Sequence, residues 1–274
     1  MVQQKQKCVV TSAESKNTGK RKVTVGSIWE SKGYGSFEVV KYKSCHDVTV
    51  RFLDTGFEVS CRSGNIKVGN VKDRLSPKVH GVGFVGVGAY KSDINGVRAK
   101  SYETWVNMLA RCYSNSYKNK YPTYKDCKVC DEWHNYQNFA KWFYENLPKD
   151  GNTYHLDKDL KVIGNNIYSP ITCMFVTPVV NLFTTDRGAA RGCCMIGASL
   201  SKIGGNFKSQ CKEPFTGKHF SIGYFDTELE AHLAWRKRKS ELAYELAMTQ
   251  DREEVKQALL NWKEALDNKL IHPY

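Results

Sequence analysis

From Gly26 to about Val82 apolar and polar positions alternate in short runs. Phe37-Glu38-Val39-Val40-Lys41-Tyr42, Val48-Thr49-Val50-Arg51-Phe52 and Phe57-Glu58-Val59-Ser60-Cys61 are rich in β-branched and aromatic residues, and Gly33, Gly35 and Asp54-Thr55-Gly56 punctuate them. Several short strands in so few residues predict a small curled β-barrel over residues 23–82. Trp29, Tyr34 and Phe57 fill its core, because so small a unit needs its aromatics inside. The alternative sets them at the surface beside Arg51, Arg62 and Lys67, facing nucleic acid. Residues 83–100, with Gly83, Gly86, Gly88 and Gly96, read as a glycine-rich linker.

The period then changes. Trp105, Met108, Leu109 and Cys112 recur at helical spacing behind Ser101, a residue able to cap. After a loop rich in Tyr, Lys and Asn, a second helix is expected from near Asp131 to Leu147. Trp133, Tyr136, Phe139, Trp142 and Phe143 share its broad apolar face, which is a core stripe. Tyr154 to Leu160 reads as a strand, Gly164-Asn165-Asn166 as a loop, and Cys173 to Val176 as a short apolar strand. A helix starts at Thr177-Pro178, where proline suits the first turn, and carries Asn181.

Three further strands, Met195–Ser201, Asn206–Lys212 and Lys218–Phe225, alternate again between the turns at Gly204-Gly205 and Pro214–Gly217. Thr227-Glu228-Leu229-Glu230 is a capping box. The helix it opens places Leu229, Leu233, Ala234, Leu242 and Leu246 to cover one sheet face. The other face carries Ser201, Lys208, Gln210, Lys212 and Lys218. A last amphipathic helix runs from Glu253 to about Leu266. The chain is thus α+β and multidomain. The expected parts are a basic arm (1–22), the barrel, the linker, a central unit (101–190), a three-stranded sheet packed on a helix (191–249) and a closing helical segment (250–274).

Composition narrows the function. The 274 residues carry a formal charge of +13, and 41% are hydrophobic, enough to build cores. The first hundred residues hold 18 Lys and Arg against 8 Asp and Glu, so most of the excess lies in front. Such an excess points to a polyanion, with nucleic acid ahead of an anionic membrane surface. No apolar run approaches the roughly 18 residues of a span, and the polar start is no signal peptide. The ten cysteines therefore read as reduced thiols.

Two segments carry a resemblance. Gly197-Ala198-Ser199, Asn206-Phe207-Lys208-Ser209-Gln210 and Ile222-Gly223-Tyr224-Phe225-Asp226-Thr227-Glu228-Leu229-Glu230-Ala231, followed by Ala234-Trp235, resemble the Apetala/ethylene-response-factor type of DNA-binding domain. That resemblance implies a sheet lying in the major groove with its helix behind. It puts Lys202, Lys208, Gln210, Lys212 and Lys218 near phosphates or base edges of double-stranded DNA. The middle unit resembles HNH, or ββα-metal, nuclease modules, which phage proteins pair with such a domain. The matching residues are Trp105 to Tyr113, Val129-Cys130-Asp131-Glu132-Trp133, Leu156-Asp157-Lys158-Asp159, Tyr168 to Val176, and Asn181. The implied activity is that of a phage homing endonuclease in the cytoplasm of an infected bacterium.

An HNH site needs a base, usually histidine, and a carboxylate with a helix residue on one divalent ion, Mg²⁺ or Mn²⁺. By the resemblance Asp157 is the carboxylate and Asn181 the helix residue, so these two hold the metal. Lys158 stands where histidine is expected, and lysine is a poor base unless its pKa is strongly depressed. On a strand His155 shares a face with Asp157 and Asp159, which makes it the alternative base. The bland reading of Asp157 and Asp159 is an ordinary surface pair. Cys127-Lys128-Val129-Cys130 has zinc-ligand spacing, but a lone pair of this kind better suits buried small hydrophobes. Two rivals to the nuclease remain: a DNA-binding regulator or anti-host factor without catalysis, and a module that holds a host protein through the β-barrel.

Overall fold

The structure, a computed structural model, describes residues 21–185, 194–201 and 204–269. Most of the expected basic arm, and Lys202, lie outside the described residues. The chain divides into two compact units, Met1–Ser76 and Pro77–Tyr274. Mixed α+β structure is found, with several small sheets.

The first unit holds strands β1 (Ile28–Ser31), β2 (Gly35–Ser44), β3 (Asp47–Phe52) and β4 (Glu58–Cys61), then the one-turn helix α1 (Ser63–Lys67). The strands form an antiparallel meander in the order β1-β2-β3-β4. Their period-2 alternation puts Phe37, Val39, Val48, Val50 and Phe52 on one buried face, where Trp29, Ile66 and Val71 join them. Here the expected barrel is corrected. The two edge strands are only four residues long and do not pair with each other, so the sheet stays open. The aromatics do go inside: Trp29 is buried, and Tyr34 and Phe57 pack at the core margin. Buried Asp73 is satisfied by the Thr55 hydroxyl (2.6 Å) and the Leu75 amide (2.8 Å).

The second unit opens with a small hairpin, β5 (Asp93–Ile94) and β6 (Val97–Arg98). Helices α2 (Lys100–Tyr113) and α3 (Asn115–Lys120) follow, then β7 (Lys128–Val129) and α4 (Tyr136–Asn146). The single helix expected from Asp131 is two pieces. A 3-10 turn spans Asp131–His134, and Asn135 then caps α4 by accepting from the Gln137 amide at 3.0 Å. Trp105, Met108, Leu109, Trp133, Tyr136, Phe139 and Phe143 form the core between α2 and α4. Burial of each large side chain stabilises by about 1.5–3 kcal/mol.

The glycine-rich stretch is not a free linker. Phe84 pairs with the backbone around Asn135, and the Gln137 side chain bonds Val85 O, Tyr90 O and the Tyr90 amide, each at 3.0 Å. Its glycines serve close approach. A Cβ at Gly83 would lie 2.4 Å from Leu109 Cδ1, and one at Gly88 2.4 Å from Gln137 Oε1.

Strands β8 (His155–Asp157) and β10 (Met174–Val176) pair antiparallel, with β9 (Ile167–Tyr168) joining β7 in between. Helix α5 (Pro178–Thr184) follows, capped by Thr177. Strands β11 (Ala198–Leu200), β12 (Phe207–Lys212) and β13 (His219–Phe225) make the last sheet. Helix α6 (Glu228–Met248) starts at the capping box read from the sequence, and α7 (Glu253–Asp267) pairs with it. A second core joins Met174, Val176, Val180 and Phe183 of the hairpin and α5 to Cys211 of β12, Trp235, Leu242 and Leu246 of α6, and Leu259 and Trp262 of α7. The segments expected as separate nuclease and sheet domains thus share one apolar interior. At the seam, Lys239 of α6 donates to Phe183 O at the end of α5 (2.7 Å), with its ammonium 3.5 Å from the Phe183 ring centre.

Candidate functional site

Two features project polar chemistry from this framework. The first is the outer face of β11-β12-β13. Ser209 and Cys211 face α6, since the Ser209 hydroxyl donates to Ala231 O (2.7 Å) and Cys211 is buried in the second core. Lys208, Gln210 and Lys212 therefore point the other way. Across the ladder they pair with Tyr224, Ser221 and His219 respectively, and Lys208 also pairs with Ser199. Among the described residues, Lys208, Lys212 and Lys218 make no ion pair, and Lys218 is exposed in the turn before β13.

Alternation also sends His219 and Ser221 outward, but it misses Tyr224. Counting by twos from Phe220 and Ile222 sends Tyr224 inward. A bulge breaks the register: Ser209 pairs with Gly223 and Gln210 with Ser221, which leaves Ile222 extra. Tyr224 is thereby turned outward and is 63% exposed beside Lys208. The only sequence signal for this was Gly223, a residue that marks bulges.

The second feature is the β8–β10–α5 hairpin and helix. It brings His155 and Asn181 together, with Asn181 Nδ2 3.3 Å from His155 Nδ1. Asp157 shares the strand face of His155, but its Oδ1 turns into the loop and accepts from the Asp159 amide (2.9 Å) and the Leu160 amide (2.7 Å). Those bonds end the strand at Asp157, short of the expected Leu160. Burial raises the Asp157 pKa above the ordinary carboxylate value, against the pull of the two amides.

Lys158 is turned away from this face. Its ammonium lies within the loop, on Asn165 O (3.2 Å) and on Asp159, with Tyr168 beyond. The Asn165 side chain returns bonds to Lys158 O (2.8 Å) and Ile167 O (2.7 Å). Burial works to lower the lysine's pKa, but its bond to Asp159 and that carboxylate's charge outweigh this and raise it. Such a group stays an ammonium and abstracts no proton. Asp159 is its counter-ion rather than a partner of Asp157. Lys158 and Asp159 thus hold the loop, and His155 and Asn181 face outward.

A divalent cation here would have Asp157 and Asn181 as its protein donors. Among the described residues, no three of His, Cys, Asp and Glu converge on a common point. The Asp157 Oδ2 atom makes no hydrogen bond among them, so one carboxylate oxygen remains for a cation. Of the two cysteines with zinc-ligand spacing, Cys127 faces Cys112 in the core and Cys130 is half-buried. No helix among the described residues is long and apolar enough to cross a membrane. No protein family, curated protein or solved structure matches this chain.

Proposed function

We propose that the chain binds double-stranded DNA through the outer face of β11-β12-β13 and hydrolyses a phosphodiester at the hairpin beside α5. The observation that carries the reading is the His155–Asn181 pair at 3.3 Å, held on a strand–loop–strand–helix unit that shares a core with a basic sheet. Lys208, Lys212 and Lys218 offer charge to phosphates, while Gln210 and Tyr224 offer hydrogen bonding and apolar contact to base edges.

At the hairpin His155 is the base. Amide nitrogen and oxygen are interchangeable by a flip of Asn181. With Oδ1 turned to the ring, Asn181 accepts from Nδ1–H and leaves the Nε2 lone pair to take a proton from water. Asp157, with the second lone pair of Asn181 Oδ1, would hold the cation, which when bound would supply charge neutralisation at the leaving oxygen. Lys158 and Asn165 fix the loop that aims Asp157.

A second reading has its own observation. Asp157 already spends one oxygen on two loop amides, and the position expected for histidine carries a buried lysine; both favour a DNA-binding regulator that does not cut. Supercoiled DNA incubated with the full chain and Mg²⁺, Mn²⁺ or EDTA decides between them. Metal-dependent nicking that His155→Ala and Asp157→Asn both lose supports hydrolysis. Salt-sensitive binding without nicking supports the regulator. Absence of binding at low salt overturns both.

A further inference from the structure

Cys112, near the end of α2, and Cys127, in the turn before β7, lie side by side in the core of the second unit. The Cys112 thiol donates to the Cys127 sulfur with the two atoms 2.9 Å apart. Both are almost fully shielded from solvent, so oxidant and reductant reach them only when the turn around Cys127 opens locally. The separation exceeds the roughly 2.0 Å of a covalent S–S bond by only about 1 Å. Two cysteines serving only as small hydrophobes have no need to aim their sulfurs at each other.

We propose that Cys112 and Cys127 are a dithiol–disulfide pair, and that mild oxidation joins them and staples α2 to the segment entering β7. The fold supplies an asymmetry. The hydrogen bond from Cys112, with smaller help from the Lys158 and Arg111 cations, lowers the Cys127 pKa. The same bond holds the proton on Cys112 and raises its pKa. Cys127 also lies in a turn and is the less completely covered of the two, so it is assigned the attack on the oxidant and Cys112 the resolving role.

With hydrogen peroxide as oxidant the atoms balance. The Cys127 thiolate attacks one peroxide oxygen, the O–O bond breaks, and Cys127 becomes a sulfenic acid while the departing hydroxide takes a proton to give water. The Cys112 sulfur then attacks the Cys127 sulfur. The S–O bond breaks, and the leaving hydroxide departs as water with the Cys112 proton. The two thiols give two electrons to one peroxide. A low-molecular-weight thiol reverses the change by exchange.

The staple has a defined object. It closes over α3 and the 3-10 turn Pro122–Tyr124, a stretch otherwise held by the Tyr117–Tyr121 and Tyr117–Tyr124 ring contacts and by the Tyr113 hydroxyl on Val129. Lys118, Lys120 and Lys125 lie inside the loop, so trypsin can cut there. Oxidation leaves such a nicked chain covalently joined.

The test uses the full chain, reduced, desalted and exposed to hydrogen peroxide under native conditions. Remaining thiols are then alkylated and the protein digested for mass spectrometry. The expected product is a peptide linking Cys112 to Cys127, lost on reduction. Trypsin-nicked, oxidised protein should run as one band without reductant and as two with it. In Cys112→Ser, a sulfenic-acid reagent should label position 127; in Cys127→Ser it should leave Cys112 unlabelled. Oxidation of exposed Cys45 without the 112–127 link overturns the proposal, as does a link between Cys130 and Cys173 instead. Labelling of Cys112 in Cys127→Ser overturns the assigned order of attack.

Discussion

Replacing Lys239 with methionine keeps most of the apolar stem and removes a largely buried ammonium at the junction of α5, α6 and α7. Burial lowers the lysine's pKa from 10.5 to about 8, with the neighbouring Cys211 thiol pulling weakly the other way. At about 1.4 kcal/mol per pH unit, that fall amounts to about 3 kcal/mol against the charged form. Because the folded value lies below the unfolded one, the unfolded chain holds the proton more tightly between pH 8 and 10.5. Stability from this group therefore rises across that window, and the cost of the charge is fully present below it. Methionine escapes the cost but forfeits the bond to Phe183 O and the ammonium–ring contact, each worth about 1 kcal/mol. The expected result at pH 7 is a variant more stable than the parent by about 1 kcal/mol. Above pH 10 the order should reverse, a swing of about 3 kcal/mol in all. Urea unfolding of the 77–274 unit at a series of pH values measures this, and taking the difference between the two proteins cancels the other titrating thiols and tyrosines. A difference that stays constant from pH 7 to 10.5 would refute the reasoning.

Two further expectations rest on the sheet. Gly197 has φ +81°, and a Cβ there would sit 2.0 Å from Trp235 Cγ, near the stiff root of that side chain; Gly197→Ala should cost about 3 kcal/mol or more and lower Tm accordingly, whereas Gly204→Ala, which meets nothing within 3.4 Å, should cost less. Lys208→Ala should reduce the slope of log affinity against log salt by about 1 and leave folding unchanged; an unaltered slope removes this lysine from the phosphate contacts.

The sequence disclosed much of what local pattern controls, although Leu229 and Leu233, expected to carry α6 onto the sheet, are exposed. The capping box at Thr227–Glu230, the proline-led start of α5 and the outward run of Lys208, Gln210 and Lys212 all follow from neighbours within a turn or a strand. What it concealed depends on distant partners. The glycines from 83 to 88 look like flexibility in a linear reading. In the fold they let backbone press against Trp105, Leu109, Asn135 and Gln137, residues 22 to 49 positions away. Tyr224 was hidden by a one-residue bulge that reverses strand parity. At the hairpin, spacing put Asp157, Lys158 and Asp159 together as a candidate cluster, yet Asn165 folds the loop so that Lys158 and Asp159 serve each other. His155 was visible from strand parity, but its pairing with Asn181 required the tertiary packing of α5 on β8.

The apolar interior common to α5, β12, α6 and α7 bears on how such a chain can be inherited. A recombination junction between α5 and β11 would separate Val180 and Phe183 from Trp235, Leu242 and Trp262, and leave each fragment with an open half of a hydrophobic cluster. Exchange of either half for an unrelated module would then fail unless both sides of that contact changed together. The hairpin and the sheet therefore stand or fall as one unit of exchange, with the spatial offset between them fixed by side-chain packing.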